Sequence, residues 1–455
     1  MDQVGRALSR SRDGRPAAPV RIAHLGLGNF FRAHQAWYTE HATDGPDWGI
    51  AAFSGRSAGP ATALAAQDGL YTLLERAADR DRPEVVSALS EVHPAADLAA
   101  WRRTFARPEL AIVTATVTEA GYRRDAAGGL DLADTGVQRD IAALRSGGGP
   151  TTAPGRLVAG LRVRRDAGLP GVTVVPCDNV PGNGAMARRV VVELAHAVDP
   201  DLAGWALREC GFVTTAVDRI TPRATDGDRA GLLSATGVDD PACVVTEPYT
   251  EWVLAGSFVA GRPAWETAGA RFADDIEPWE NRKLWLLNGS HSLMAYGAPL
   301  RGAATVAEAI ADPAVRRWVE QWWDDAAAVL PLPAAEVAAY RLDLLERYAN
   351  PRIRHLLAQI ATDGWQKVPI RVLPVLRHHL ARGHVPLGAT RVLAAWTEHL
   401  RGSGVPVADP AAEPLRRALA GADGPKAAEL VLTALGLADD RVTAAVAAQL
   451  EELRA

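Results

Sequence analysis

The first half of the chain alternates short apolar runs with amphipathic stretches. The runs Val20–Leu25, Ile50–Phe53, Leu110–Thr116, Val172–Val175, Val213–Val217 and Cys243–Thr246 read as strands. Several are apolar almost throughout, as expected of strands covered on both faces. Strands alternating with helices in this way predict an α/β domain on a parallel, doubly wound sheet. From about Pro278 the period becomes helical, with Pro313–Leu330, Ala334–Tyr348, Ile353–Ala361, Ala389–Leu400, Ala411–Ala420 and Lys426–Leu437 as helices. Pro278 suits a first helical position and Gly297 a stop, bracketing a helix of about five turns. The expected organisation is a disordered or extended lead over 1–19, an α/β domain over 20–277 and a mostly α-helical domain over 278–455.

Composition narrows the function classes. A chain of 455 residues has room for two or three domains. Its formal net charge of −5 and lack of single-sign blocks give no electrostatic case for nucleic acid. No apolar run approaches the roughly 18 residues of a membrane span, so no membrane association is expected. The polar, Arg-rich lead has no apolar core of a signal peptide, and a soluble, cytoplasmic protein is expected. Cys177, Cys210 and Cys243 are too few and too scattered for a disulfide framework or structural zinc.

Four stretches carry chemistry. In Val20-Arg-Ile-Ala-His-Leu-Gly26-Leu-Gly28-Asn29-Phe30-Phe31 a strand runs into two glycines and then a helix. Glycines let backbone approach a pyrophosphate, and a helix N-terminus offers N–H donors. Phe31 stands where a third glycine is usual, and a tight turn without ligand is the competing reading. After the second strand, Ser54-Gly55-Arg56-Ser57 lacks the carboxylate that reads a ribose 2′-hydroxyl. Arg56 and the serines suit a 2′-phosphate; the alternative is a solvated arginine in a turn. The segment Cys177-Asp-Asn179-Val-Pro-Gly-Asn-Gly184 follows a strand directly, where open sheets bind ligands. The amide of Asn179 suits a developing alkoxide, against an Asx-turn with a structural role.

The fourth stretch is Trp279-Glu-Asn-Arg-Lys283-Leu-Trp-Leu-Leu-Asn288-Gly-Ser-His291. At about 100° per residue, Asn288 lies about 140° and His291 about 80° from Lys283, one broad helix face. A lysine beside Leu284, Trp285 and Leu287 is a candidate general base, its amine partly desolvated. Spacing alone equally allows an amphipathic helix with a solvated lysine.

Together these motifs, with Val217-Asp218-Arg219-Ile-Thr-Pro, closely resemble the mannitol dehydrogenase family, the polyol-specific long-chain dehydrogenases. The resemblance extends through Ala66-Gln-Asp-Gly-Leu-Tyr-Thr, Thr116-Val117-Thr-Glu119-Ala-Gly-Tyr, Thr246-Glu-Pro-Tyr-Thr-Glu-Trp-Val and Asn350-Pro-Arg352-Ile-Arg354, covering roughly Val20 to Pro374. It implies an NAD(P)-binding Rossmann domain, with Gly26, Gly28, Asn29, Phe30, Arg56 and Val117 at the cofactor, and a helical substrate domain. Lys283 matches the general base, and Asn179 and Asn288 match the pair on the reacting oxygen. His291, Asp218 and Lys367 match residues on substrate hydroxyls, and Glu119 a carboxylate at the proton exit. The implied partners are NAD or NADP and a sugar alcohol or ketose, with no metal, in a monomer or small homo-oligomer. Phe31, which replaces a histidine common in the family, and the missing second-strand carboxylate depart from its pattern.

Other dehydrogenase classes agree less well. None of the seven tyrosines has lysine four residues on, as a short-chain dehydrogenase requires, and clustered Cys and His ligands for zinc are lacking. A catalytically inactive dinucleotide sensor has no need of the lysine–asparagine–histidine set.

Overall fold

The computed structural model describes residues 5–55 and 57–454, and the chain divides into two units, Met1–Ile276 and Glu277–Ala455. In the first, six strands pair in the order Leu89–His93, Gly49–Phe53, Val20–Leu25, Ile112–Ala115, Thr173–Pro176, Gly211–Phe212. Every pairing is parallel. Counted along the chain this is 3-2-1-4-5-6, the doubly wound order, with its switch point between Val20–Leu25 and Ile112–Ala115.

Alternation along the strands explains why these runs are apolar throughout. Ala23, Leu25, Ala51, Phe53 and Val113 face one core with Trp101, Phe105, Leu161 and Leu194. Their neighbours Ile22, Ile50, Ala52 and Ile112 face a second core with Phe31, Tyr38, Trp48 and Leu64. Both faces of the sheet are thus covered.

Two of the expected strands lie outside this sheet. Thr214–Asp218 runs antiparallel to Glu251–Ala255, and Val244–Thr246 pairs with Tyr71–Arg76. A short apolar run specifies an extended conformation but not its neighbour. The hairpin Tyr71–Arg76 and Asp81–Val86 escapes the apolar pattern because charged pairs line it, among them Arg76 on Asp81 at 3.1 Å and Arg82 on Glu75 at 3.2 Å. The lead is also more structured than expected over its described part. It carries a helical turn, Arg10–Asp13, and the Arg10 guanidinium donates to the carbonyls of Arg15 at 2.7 Å and Ser87 at 3.1 Å.

The second unit is helical. Leu387–Leu400 is buried from Gly388 onward, a core helix apolar on most sides. The helix expected over Ile353–Ala361 contracts to Leu357–Ile360. Leu356 instead bridges Thr305, and Asn350 Oδ1 accepts from the Arg352 N–H at 3.0 Å, closing an Asx turn. Gly364–Arg371 and Leu373–Leu380 form although Pro369 and Pro374 mask their helical pattern. Among the described residues no helix is long and apolar enough to cross a membrane.

Candidate functional site

The glycine turn sits at the carboxyl end of Val20–Leu25, beside the switch point. Gly26 has φ of +112°, and a Cβ there would stand 2.3 Å from the Thr116 carbonyl oxygen, so the chain itself requires glycine. Gly28 differs. A Cβ on it would meet only the Gly26 carbonyl, at 3.6 Å, and the space above is open. That open approach suits a phosphate group next to the backbone, and the residues fit a dinucleotide in this respect. The helix that follows, Asn29–Ala33, is one short element ending at His34. Phe31 fills the third-glycine position by burying its ring fully and stacking on His24, centroids 3.4 Å apart. Asn29 Oδ1 takes a hydrogen bond from Arg32 at 2.7 Å, and the Phe30 ring stacks on His34 at 4.9 Å.

A cavity of about 760 Å³ opens beside this turn, lined by Gly26, Ser54, Gly55, Val117 and Arg156 among others. No carboxylate lines it among the described residues, while Arg123 and Arg156 both do. Arg56 lies outside the described residues. Glu119, just beyond Val117, is exposed and paired with Arg124.

The loop after Thr173–Pro176 is locked by residues that spacing alone does not reveal. Asn183 donates to the carbonyls of Thr215 at 3.0 Å and Asp178 at 3.2 Å, and accepts from the Thr215 N–H at 2.9 Å. A Cβ on Gly184 would press to 2.6 Å from the Thr214 nitrogen, so only glycine lets the segments touch. Tyr122 donates to Asp178, whose carboxyl is pushed up chiefly by burial. Asn179 is exposed at the loop's edge. Asp218, 6% exposed, ends the strand that Asn183 tethers, and Arg219 beside it donates to the Ala33 carbonyl at 2.6 Å. One set of hydrogen bonds therefore joins the glycine-turn helix, the Asn179 loop and Asp218.

In the second unit the expected five-turn helix is interrupted. Glu277–Arg282 is α-helical, Lys283–Gly289 winds as a π-helix, and Ser290–Gly297 returns to α. Pairing i with i+5 does for residues five apart what i to i+4 does in an α-helix. Lys283 and Asn288 are five apart, so the π turn draws them toward one face rather than leaving them about 140° apart, as α geometry would. Both side chains are half-buried, and His291 is buried.

The π turn is held through its carbonyls. Trp285 O accepts from Trp322 Nε1 at 2.8 Å and Leu286 O from Trp323 Nε1 at 2.9 Å. Leu287 O accepts from the Tyr348 hydroxyl at 3.2 Å, and Asn288 O from the Arg371 guanidinium at 3.2 Å. Four successive carbonyls thus receive four side-chain donors from three other helices. Gly289 makes room for this: a Cβ there would lie 2.6 Å from the Trp322 indole. Ahead of the turn, Arg282 pairs with Glu336 at 3.3 Å and lies over the Tyr340 ring at 4.0 Å.

His291 faces Tyr348 and His355, centroids 5.1 and 5.0 Å away. Lys367 spends its ammonium on backbone and hydroxyl: Thr362 O, Thr362 Oγ1 at 3.2 Å and Ile360 O at 3.3 Å. Burial and Arg371 hold its pKa below the ordinary lysine value. Among the described residues no group of three or more His, Cys, Asp or Glu converges as a metal site.

The comparisons with known proteins agree with the fold. Residues 20–267 match the model of the mannitol dehydrogenase Rossmann domain, and residues 275–454 that of the mannitol dehydrogenase C-terminal domain. The chain is 40% identical to D-mannonate oxidoreductase of Escherichia coli over 396 residues, 84% of this chain and 80% of that one. It is 36% identical to mannitol 2-dehydrogenase of Cereibacter sphaeroides over 406 residues, 88% and 84%. It also superposes on Pseudomonas fluorescens mannitol 2-dehydrogenase, solved as a ternary complex with NAD and D-mannitol. There the TM-score is 0.76 and the identity 34%, with 98% of this chain and 93% of that one covered.

Proposed function

The chain belongs to the mannitol dehydrogenase family, and from that premise we propose that it interconverts a polyol and a ketose of the mannitol–fructose type without a metal, with Lys283 as general base. The observation that carries this reading is the π turn, which draws Lys283 toward Asn288 and is pinned by four side-chain donors. Such winding is frequent at functional sites and uncommon elsewhere.

The nicotinamide of NAD or NADP, when bound, supplies the hydride acceptor. The chain's own residues manage the proton and the charge. Neutral Lys283 takes the hydroxyl proton at Nζ, and the Asn288 amide donates to the oxygen as negative charge grows on it. A well-placed donor of this kind contributes about 3 kcal/mol. The family resemblance gives Asn179 the same role and assigns neighbouring hydroxyls to His291 and Asp218. The same resemblance gives Glu119, here paired with Arg124, a place at the proton exit, and Lys367 joins the substrate only by giving up Thr362. Ketose reduction is the same path reversed. A cavity with arginines and no carboxylate among its described lining, together with the occurrence of Arg56 just after the second strand in the sequence, supports use of NADP alongside NAD.

A second reading within the family, a hexuronate reductase, draws support from the 40% identity to D-mannonate oxidoreductase. An anionic substrate end, carboxylate or phosphate, needs cations. Of those available, Lys367 and Arg371 are committed to groups of their own unit, which directs attention to the exposed Arg354. The deciding experiment is a spectrophotometric panel of fructose, fructose 6-phosphate, fructuronate and tagaturonate, each with NADH and NADPH. Turnover of fructose above the others is expected; no turnover on the whole panel would overturn the reading.

A further inference from the structure

The segment Asn350-Pro-Arg-Ile-Arg-His355 ends in a histidine with no part in the chemistry above, yet that histidine lies against His291. Its backbone is fixed at several points. Asn350 Oδ1 accepts from the Arg352 N–H at 3.0 Å. The His355 N–H donates to Ile353 O at 2.9 Å, and the His355 carbonyl accepts from the Val306 N–H at 3.0 Å. The adjoining Leu356 bridges Thr305. A residue so held presents its side chain in a set direction. That direction brings the His355 ring edge-to-face with His291, centroids 5.0 Å apart and planes at 81°. His291 is buried, whereas His355 is only half-buried.

We propose that His355 is a further substrate-contacting residue, its imidazole holding a hydroxyl of the open-chain sugar next to the one held by His291. This rests on the polyol–ketose reading above. Two adjacent imidazoles offer donors and acceptors side by side, which is what successive hydroxyls on a carbon chain require. Burial, with the Arg347 guanidinium adding to it, holds the His355 pKa below the ordinary histidine value. That favours the neutral ring, which can both give and accept a hydrogen bond as a hydroxyl does. The competing explanation is packing, in which His355 only props the His291 ring.

Two substitutions separate these. His355→Phe keeps an aromatic ring against His291 but removes both nitrogens; His355→Gln keeps a donor and an acceptor. KM for the sugar should rise about tenfold in His355→Phe, the worth of one neutral hydrogen bond. Turnover should stay within about twofold and KM for NAD(P)H unchanged, with most of the loss recovered in His355→Gln. A series of monodeoxy substrates adds a contact test: at one position the penalty of His355→Phe should vanish, because the lost hydroxyl was its partner. Wild-type KM in His355→Phe overturns the proposal in favour of packing. Loss of KM, turnover and melting temperature together in both variants overturns it in favour of a structural role. If the wild type turns over none of the panel, the function reading fails and this inference fails with it.

Discussion

The indole N–H of Trp322 donates to the carbonyl oxygen of Trp285 across 2.8 Å, from a ring that a Cβ on Gly289 would strike. These two contacts explain how a helix keeps a π turn at Lys283–Gly289. Widening a helix to i→i+5 weakens its own ladder. Trp322, Trp323, Tyr348 and Arg371 compensate by donating to four consecutive carbonyls. Residues remote in sequence thereby set the separation of Lys283 from Asn288.

Gly289→Ala should strain this contact, since the rigid indole stands 2.6 Å from the new Cβ. Overpacking of this kind costs about 1–3 kcal/mol. A lower melting temperature and a loss of turnover of roughly tenfold or more are expected, because small misplacements of reacting groups are costly. Unchanged stability and activity in calorimetry and steady-state assays would show that the turn tolerates the methyl.

Trp322→Phe keeps an aromatic ring but removes the donor together with part of the buried indole, leaving the buried Trp285 carbonyl to find another partner. The expected destabilisation is about 1–3 kcal/mol, the cost of a buried polar group left unmet. Urea unfolding measures it directly. A change of a few tenths would mean that the hydrogen bond does not hold the turn.

Lys283→Ala should lower turnover by about 10²–10⁴-fold, the usual worth of a general base. Binding of NAD(P)H, followed by fluorescence, should persist. Activity after exhaustive chelation should equal that of untreated protein; loss restored by zinc would contradict a metal-free mechanism. Arg56→Ala should raise KM for NADPH and spare that for NADH, and equal effects on both would remove Arg56 from 2′-phosphate recognition.

Stability should fall in mild acid through two buried histidines. Burial pushes the His24 pKa down to about 3 and that of His399 to about 4, whereas both titrate near 6.5 once unfolded. Below about 6.5 the unfolded chain binds protons that the folded chain refuses. Their contribution is therefore complete above that pH and declines as pH falls toward each folded value. His399 stacks on Tyr296, centroids 5.1 Å apart, and neither ring nitrogen has a hydrogen-bond partner among the described residues. His399→Phe keeps the stack, so it should lose less stability than the wild type between pH 7.5 and pH 5 in urea titrations. An identical slope would place the acid sensitivity elsewhere.

Asn183→Ala removes the hydrogen bonds joining the Asn179 loop to Thr215. Turnover should drop while the cofactor still binds, because the glycine turn is untouched. Wild-type kinetics would mean that the loop is held without them.

The sequence by itself determined the doubly wound sheet, the glycine turn and the residues of the Lys283 helix. These depend on local properties: apolar runs of strand length, a glycine that φ of +112° demands at position 26, and side chains a few residues apart. Only the tertiary structure decided which strands pair, and it moved Thr214–Asp218 and Val244–Thr246 out of the main sheet. It also decided that Lys367 is spent on Thr362, and that Lys283 and Asn288 share a π turn instead of an α-helix. The physical reason is distance along the chain. The donors that hold the π turn come from 37, 61 and 83 residues away, and no periodicity within the helix records them.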